Sequence, residues 1–557
     1  MAKNSKDDAA KKLLDAIKEH PTDDRAYNDL GNFYFDRGEF EKAIEQYQKA
    51  LKFKPEQWVY YSNIGDASRQ IKNWDAALEN YQKALAINPN SDWLNNSIGV
   101  VHSWMNEQEQ AIGFYLKAVK IKPAAIYYKN MADCYRSLRN WSEAIDYYHE
   151  SLNLDPNNAG TLNSLGVAHY SNGEFDIAIQ YYQNAIALSA DEFVYYANIG
   201  DAYNKLRNWP EASKWYQKAL DKNPEDFLSI ASIGDVYRSQ GMWNEAIEFY
   251  TRAAKLNPND AIVNNGLGIA YYSLKQHDLA IEHYTKAIAA NPNYHIYSAN
   301  LGDVYRGLRQ WEPAIACYTQ ALALMPDDDI VLNSLGVSYY SKGENEKAIE
   351  CYEKAIAVNS QNAIYHANIG DALNAMKQAQ KAMAYYHRAL QIKPDDDLSY
   401  EGLGNALGEL GKYLKSIAHY QKAIAINPKP AYYSRIGNMY RRLRNYDAAI
   451  KQFETAIELA TKTDPGDTSY HKLLGLAFND RGVEFDSQGK LQEALADYKK
   501  AVELNPDDSV LHHNMYLIYS DLGNTKAAEE SLLNAIKLSP DNQTYPEELQ
   551  RLRAQKS

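Results

Sequence analysis

Apolar and small residues recur along this chain at helical spacing, in two short runs that return about every 34 residues. In residues 193–226, Tyr196, Ile199, Gly200 and Tyr203 fall at i, i+3, i+4 and i+7, which makes one apolar stripe on a first helix. Ala212, Tyr216 and Ala219 make the matching stripe on a second. Between them, Asn208 is placed to cap the second helix with Glu211 three residues on, and Pro210 is tolerated because a first turn has spare amide donors. Pro224 ends the second helix.

The same ruler fits at residues 24, 58, 92, 125, 159, 193, 227, 261, 295, 329, 363, 397, 430, 475 and 509, giving fifteen units. The twentieth position is Ala in fourteen of them, Ser416 being the exception. One such hairpin buries too little apolar surface to offset its own ordering, so the units must stack. The expected organisation is a capping half-repeat over 1–23, units one to thirteen over 24–460, a phase break and linker over 461–474, units fourteen and fifteen over 475–542, and a capping helix over 543–557. Residues 5–20 open with a Ser-x-x-Asp capping box. Asp464-Pro465-Gly466-Asp467 is a turn signal, and weaker coupling between units thirteen and fourteen is expected there. Beyond it, apolar spacing predicts a first helix in unit fourteen extended by about two turns at ~3.6 residues each.

The pattern resembles the tetratricopeptide repeat family, whose signature has small residues at positions eight, twenty and twenty-seven, aromatics at eleven and twenty-four, and proline at thirty-two. Gly200, Ala212, Ala219, Tyr203, Tyr216 and Pro224 match each one. The resemblance implies an all-α fold, a right-handed superhelical solenoid of helix-turn-helix units with capping helices. It also implies a concave groove lined by the first helices.

Positions five, six, nine, twelve and thirteen point away from the core stripe, and they alternate between two classes. One class has Asn at six, Asp at nine and often Arg at twelve: Asn63, Asp66 and Arg69; Asn130, Asp133 and Arg136; Asn198 and Asp201; Asp235 and Arg238; Asn300, Asp303 and Arg306; Asn368 and Asp371. The other has Asn at five, an aliphatic at nine and Tyr at twelve, as at Asn163, Asn265 and Asn333, with Asn96 a partial member. The true period is therefore often 68 residues, slipping phase at repeat seven. An Asn in this place is similar to the asparagine ladder with which the repeat domains of O-GlcNAc transferases hold a peptide backbone. A carboxamide both donates and accepts, so it satisfies a peptide unit whatever the side chain. The competing reading is that Asp and Arg pair between helices and Asn bonds its neighbours. The chaperone-binding subfamily's carboxylate clamp is not present as a set, since repeat four has Lys129 but Asp133.

Composition changes little in this picture. A net charge of −13 disfavours nucleic acid and anionic membranes as partners, and no apolar run reaches 18 residues. A charged N-terminus and three scattered cysteines, Cys134, Cys317 and Cys351, fit a soluble cytoplasmic protein without a disulfide framework. The 46 tyrosines follow from the repeat. Residues 402–411 resemble a glycine-rich phosphate loop only superficially, lying inside a first helix with no strand before them. His512-His513 and His149-Glu150 lack partners at metal spacing. The expected function is a non-enzymatic scaffold, with no cofactor or metal and no glycosyltransferase domain after the repeats. It would hold proteins or extended peptides through the Asn/Asp/Arg ladder. Self-assembly, with a terminal helix in a neighbour's groove, is the alternative.

Overall fold

The computed structural model describes residues 2–463, 466 and 468–554, and every element within them is a helix. The chain divides into two compact units, residues 1–279 and 280–557. In both, helices alternate in the order read from the sequence, a first helix of 13 residues followed by a second of 14, as in Phe193–Lys205 and Trp209–Lys222.

Small residues at position eight are a steric demand. A Cβ on Gly200 would stand 2.6 Å from the Tyr216 ring, and one on Gly234 would stand 2.7 Å from Tyr250. The ring takes the space that a side chain would occupy, so the two helices of a hairpin close on it. Tyr216 and Tyr250 are fully buried, as are Ala212, Ala219, Ala246 and Ala253. One apolar cluster runs from Ala212 through Ile230, Ile233 and Tyr250 to Leu267, so each repeat completes the core of the next.

The turn inside each hairpin uses one geometry throughout. Arg207 has φ 56°, its N–H bonds the Asn204 carbonyl, and Asn208 N–H bonds the Tyr203 carbonyl. These are the two bonds of a Schellman motif, with a left-handed residue just past the helix. The equivalent residue, at position fifteen, has positive φ in every repeat, Gly241 in one and Lys72 or Arg139 in others. This corrects the expected capping box in part. Asn208 accepts from Glu211 N–H at 3.5 Å, but its own N–H is taken by Tyr203, and Glu211 turns instead to Lys214 and Trp215.

At the chain's start the helix runs from Ala2 to Glu19, upstream of Ser5, so Ser5 is not its N-cap. No Pro or Gly stands before Ser5 to stop the helix there. Helices enter the phase break from both sides, Tyr446–Thr463 with 18 residues and Ser469–Ser487 with 19. Of the turn signal, positions 464, 465 and 467 lie outside the described residues. The flanking repeats are bonded firmly. Arg441 donates to Asp480 at 2.8 and 2.6 Å, Arg481 joins Asp447 to Asp497, and Phe453, Leu474 and Phe478 share one apolar cluster. Weak coupling, expected from the turn signal, therefore meets a packed and charge-bridged junction. The final helix, Thr544–Ala554, buries Tyr545, Leu549 and Leu552.

Candidate binding face of the first helices

Within each unit the first helices of consecutive repeats lie side by side, close enough for side chains about one repeat apart to bond. Asn63 Nδ2 donates to Asn28 Oδ1 at 2.8 Å, Asn130 to Asn96 at 3.0 Å, Asn198 to Asn163 at 2.8 Å, and Asn368 to Asn333 at 2.7 Å. Asn514 and Asn479 repeat the contact at 2.7 Å. The donor is always the Asn at six and the acceptor the Asn at five of the preceding repeat. The two alternating classes are thus the two halves of one hydrogen-bonded pair. Tyrosine at three adds a second tie in some of these pairs, Tyr127 to Asp92 and Tyr365 to Asp329, both at 2.9 Å. Asn265 and Asn300 are half-buried on their own first helices.

These bonds spend only part of what the carboxamides offer. In the Asn198–Asn163 pair, one N–H of Asn198 and one acceptor position of Asn163 are used. The Asn198 oxygen and the Asn163 amide group remain, so a pair still presents both an acceptor and donors. All the paired asparagines are half-buried.

The aspartates at nine have a different task from the one the helical angles suggest. Each accepts the hydroxyl of the core tyrosine fifteen residues on: Tyr81 to Asp66 at 2.7 Å, Tyr216 to Asp201 at 2.6 Å, Tyr250 to Asp235, Tyr318 to Asp303 and Tyr386 to Asp371, all three at 2.7 Å. Tyr148 and Asp133 make the same contact. Arginine at twelve completes it. Arg238 and Arg306 donate to Tyr250 and Tyr318 at 3.0 and 3.1 Å while holding Asp235 and Asp303 at 2.9 Å. Arg136 donates to Tyr148 at 3.2 Å, and Arg69 lies 3.5 Å from Asp66. The carboxylates therefore anchor the core tyrosine at the middle of the second helix to the first helix. Burial pushes the Asp66 and Asp201 carboxyls above their usual range, although the tyrosine hydroxyl pulls each back.

Position two also belongs to this face, outside the five positions that the sequence pattern assigns to it. It sits about 20° from position nine on a helical wheel, and that angle was the available signal. Leu228, Ile262, Ile330, Ile364 and Leu398 occupy it, from 57% to 70% exposed. Within residues 280–557 the aliphatics at 330, 364 and 398 come from consecutive repeats. The face thus carries an exposed apolar rail beside its carboxamide pairs.

No cluster of His, Cys, Asp and Glu suited to a metal ion occurs among the described residues. Cys134, Cys317 and Cys351 are free thiols, and burial pushes the last two up to about 11. No helix among the described residues is long and apolar enough to cross a membrane.

Family models described as "TPR repeat" match residues 31–68, 65–103, 234–275 and 338–377. Models described as "Tetratricopeptide repeat" match 12–45, 122–191, 163–227, 260–327, 300–356, 363–396, 399–430, 430–462, 475–508 and 517–542. Tetratricopeptide repeat protein 16 of Macaca fascicularis is 30% identical over 116 residues, 20% of this chain and 13% of that protein. The STIP1 homolog of Dictyostelium discoideum is 31% identical over 122 residues, 22% of this chain and 20% of that protein. The chain thus spans a fifth or less of the length of these relatives. A crystal structure of the APC/C hetero-tetramer Cut9–Hcn1 is 14% identical, with 89% of this chain and 96% of that one covered at a TM-score of 0.36.

Proposed function

The chain belongs to the tetratricopeptide repeat family, and from that premise we propose that it is a non-enzymatic scaffold which holds extended segments of partner proteins along its first helices. The observation that supports this most directly is the half-spent carboxamide pair. A peptide unit in extended conformation offers one N–H and one C=O on alternating sides, and a pair such as Asn198–Asn163 keeps an acceptor and donors to meet them. The exposed aliphatics at position two would contact the segment's side chains without prescribing their identity. In this reading Asn63, Asn130, Asn163, Asn198, Asn265, Asn300, Asn333 and Asn368 touch the segment. Asp66, Asp133, Asp201, Asp235, Asp303 and Asp371, with Arg69, Arg136, Arg238 and Arg306, fix the helices that carry them.

Self-assembly through the C-terminal helix receives less support. That helix is engaged with its own array, through buried Tyr545 and Leu549 and bonds from His513 to Glu548 and from Arg553 to Glu529. The test is capture of partners by the full chain, identification of the bound segments by mass spectrometry, and titration of the best segment as a synthetic peptide. Changing Asn130, Asn198 and Asn368 together to Ala is expected to weaken that peptide at least tenfold, because each change strips hydrogen bonds of ~1 kcal/mol or more. Unchanged affinity in a variant that remains helical would overturn the reading.

A further inference from the structure

The binding face changes character at repeats twelve and thirteen. Position nine, an aspartate at six places earlier in the chain, is Asn405 and then Asn438. Position twelve, which carries a side chain in every other repeat and most often Arg, Tyr or Asn, is Gly408 in repeat twelve. Position six of repeat thirteen, where the ladder would place Asn, is Arg435, and Arg442 follows two turns later on the same face of Pro430–Arg442.

A cleft of about 540 Å³ opens among these side chains. Its origin is a missing side chain. In several other repeats the residue at twelve reaches the core tyrosine hydroxyl, as Arg238 and Asn374 do, both at 3.0 Å. With Gly408 there, the Tyr420 hydroxyl donates to Asn405 at 2.7 Å and position twelve offers it no side chain. A Cβ on Gly408 would stand 3.2 Å from Met439 Sδ, the flexible end of a side chain, so a larger residue is admitted there once Met439 shifts by a few tenths of an ångström.

The charges in the cleft are also unspent. Arg238 and Arg306 have carboxylates at 2.9 Å, and neighbouring Arg441 holds Asp480 at 2.6 Å. Arg435 and Arg442, both exposed, form no ion pair among the described residues. Two acids border the place, Glu409 on the cleft wall and Glu401 near Arg435, and neither closes onto a guanidinium. Asn405 accepts from Tyr420 through its oxygen, which leaves its amide hydrogens to donate.

We propose that this cleft is an oxyanion subsite, taking a carboxylate or phosphate group. On the scaffold reading, on which the peptide arm below rests, that group is carried by a segment lying along the first helices. Arg435 and Arg442 supply charge-assisted donors, for which planar guanidinium is suited to both oxyanions, and Asn405 and Asn438 supply neutral ones. An acidic chain with one such place would thereby fix the register of a segment that the carboxamides hold without regard to sequence.

Calorimetric titration of the full chain tests this with inorganic phosphate and with three blocked hexapeptides that differ at one position, Asp, phosphoserine or Asn. Phosphate should bind, and the Asp and phosphoserine peptides should bind at least about tenfold tighter than the Asn peptide, one charge-assisted bond being worth that factor or more. The relative strength of the two acidic peptides tells carboxylate from phosphate. Arg435→Gln with Arg442→Gln should erase the preference, and so should Gly408→Leu, which fills the cleft without changing its charge. Phosphate binding lost in these variants, with no peptide binding at all, would support the subsite and sink the groove. Phosphate binding and acidic preference that persist in both variants, or that are missing from the parent protein, would overturn the subsite.

Discussion

Tyr216→Phe is the change that isolates what the carboxylate at nine does. The ring stays in place, 1% exposed and packed on Gly200, and only the hydroxyl that donates to Asp201 at 2.6 Å is removed. A bond to an ionised group contributes ~1.5–3 kcal/mol, and losing it leaves a half-buried carboxylate short of a donor, so a local loss of ~1–2 kcal/mol is expected. Asp201→Ala breaks the same bond from the other end and should cost about as much, with the hydroxyl now unpaired. The double variant should cost little more than either, giving a coupling of ~1–2 kcal/mol. Tyr182→Phe is the control, because Val167 stands where Asp201 does and the hydroxyl makes no bond to a carboxylate; its effect should stay within about 0.5 kcal/mol. Global melting is the wrong assay, since a stack of repeats loses and gains structure locally. Native-state hydrogen exchange of amides in Phe193–Lys205 and Trp209–Lys222 reads the local term, about tenfold in protection per 1.4 kcal/mol. A coupling near zero, or an equal loss from Tyr182→Phe, would refute the assignment.

Other consequences can be measured in the same protein. Arg207, at φ 56°, should be replaced by Gly with a gain of ~0.5–1 kcal/mol in exchange protection, whereas Gly241→Ala at φ 72° should cost about 1 kcal/mol. Gly200→Ala should destabilise its hairpin by ~1–3 kcal/mol, since the new methyl meets the Tyr216 ring at 2.6 Å; an unchanged melting profile and exchange pattern would contradict the close packing. Burial raises the Asp201 carboxyl in the folded state above its ordinary 3.8. The folded chain therefore holds that proton more tightly than the unfolded chain, and the stability of the neutral form is present below 3.8 and lost as pH rises through the raised value. Asp201→Asn keeps an acceptor for Tyr216, as Asn405 does for Tyr420, so it should be more stable than the parent at pH 7, with the difference vanishing toward pH 3.

The helices and their order were legible in the sequence because small residues at eight, twenty and twenty-seven leave few ways for two helices to close on a tyrosine. The asparagine classes were legible as a pattern, but their partnership was not. Asn163 and Asn198 are 35 residues apart, and nothing local says which carboxamide of one repeat meets which of the next. Asp201 is a related case. A helical wheel gives direction from one axis, whereas its carboxylate is claimed by a hydroxyl arriving from a second helix. The aliphatics at two are not legible as a surface feature, because an apolar residue is ordinarily credited to a core and only exposure separates Ile330 from Ile199. The cleft at Gly408 depends on a side chain that is missing, which shows only when neighbouring repeats are laid on one another in space.

The bond from position six back to position five groups repeats into couples. Residues 159–226 form one closed couple, Asn163 with Asn198, and repeat seven, with Ala231 at five and Ser232 at six, has neither half of such a bond. Excising residues 193–226 would therefore join Asn163 to a neighbour presenting Ser232, and the couple would lose its second member although every hairpin left behind had its full core. Excising 159–226 would remove a whole couple and leave all remaining couples intact. What a shortened chain becomes should therefore depend on which repeats are removed: a cut that splits a couple leaves an unmatched carboxamide on the face of the first helices, and a cut that respects the couples leaves the same face, only shorter.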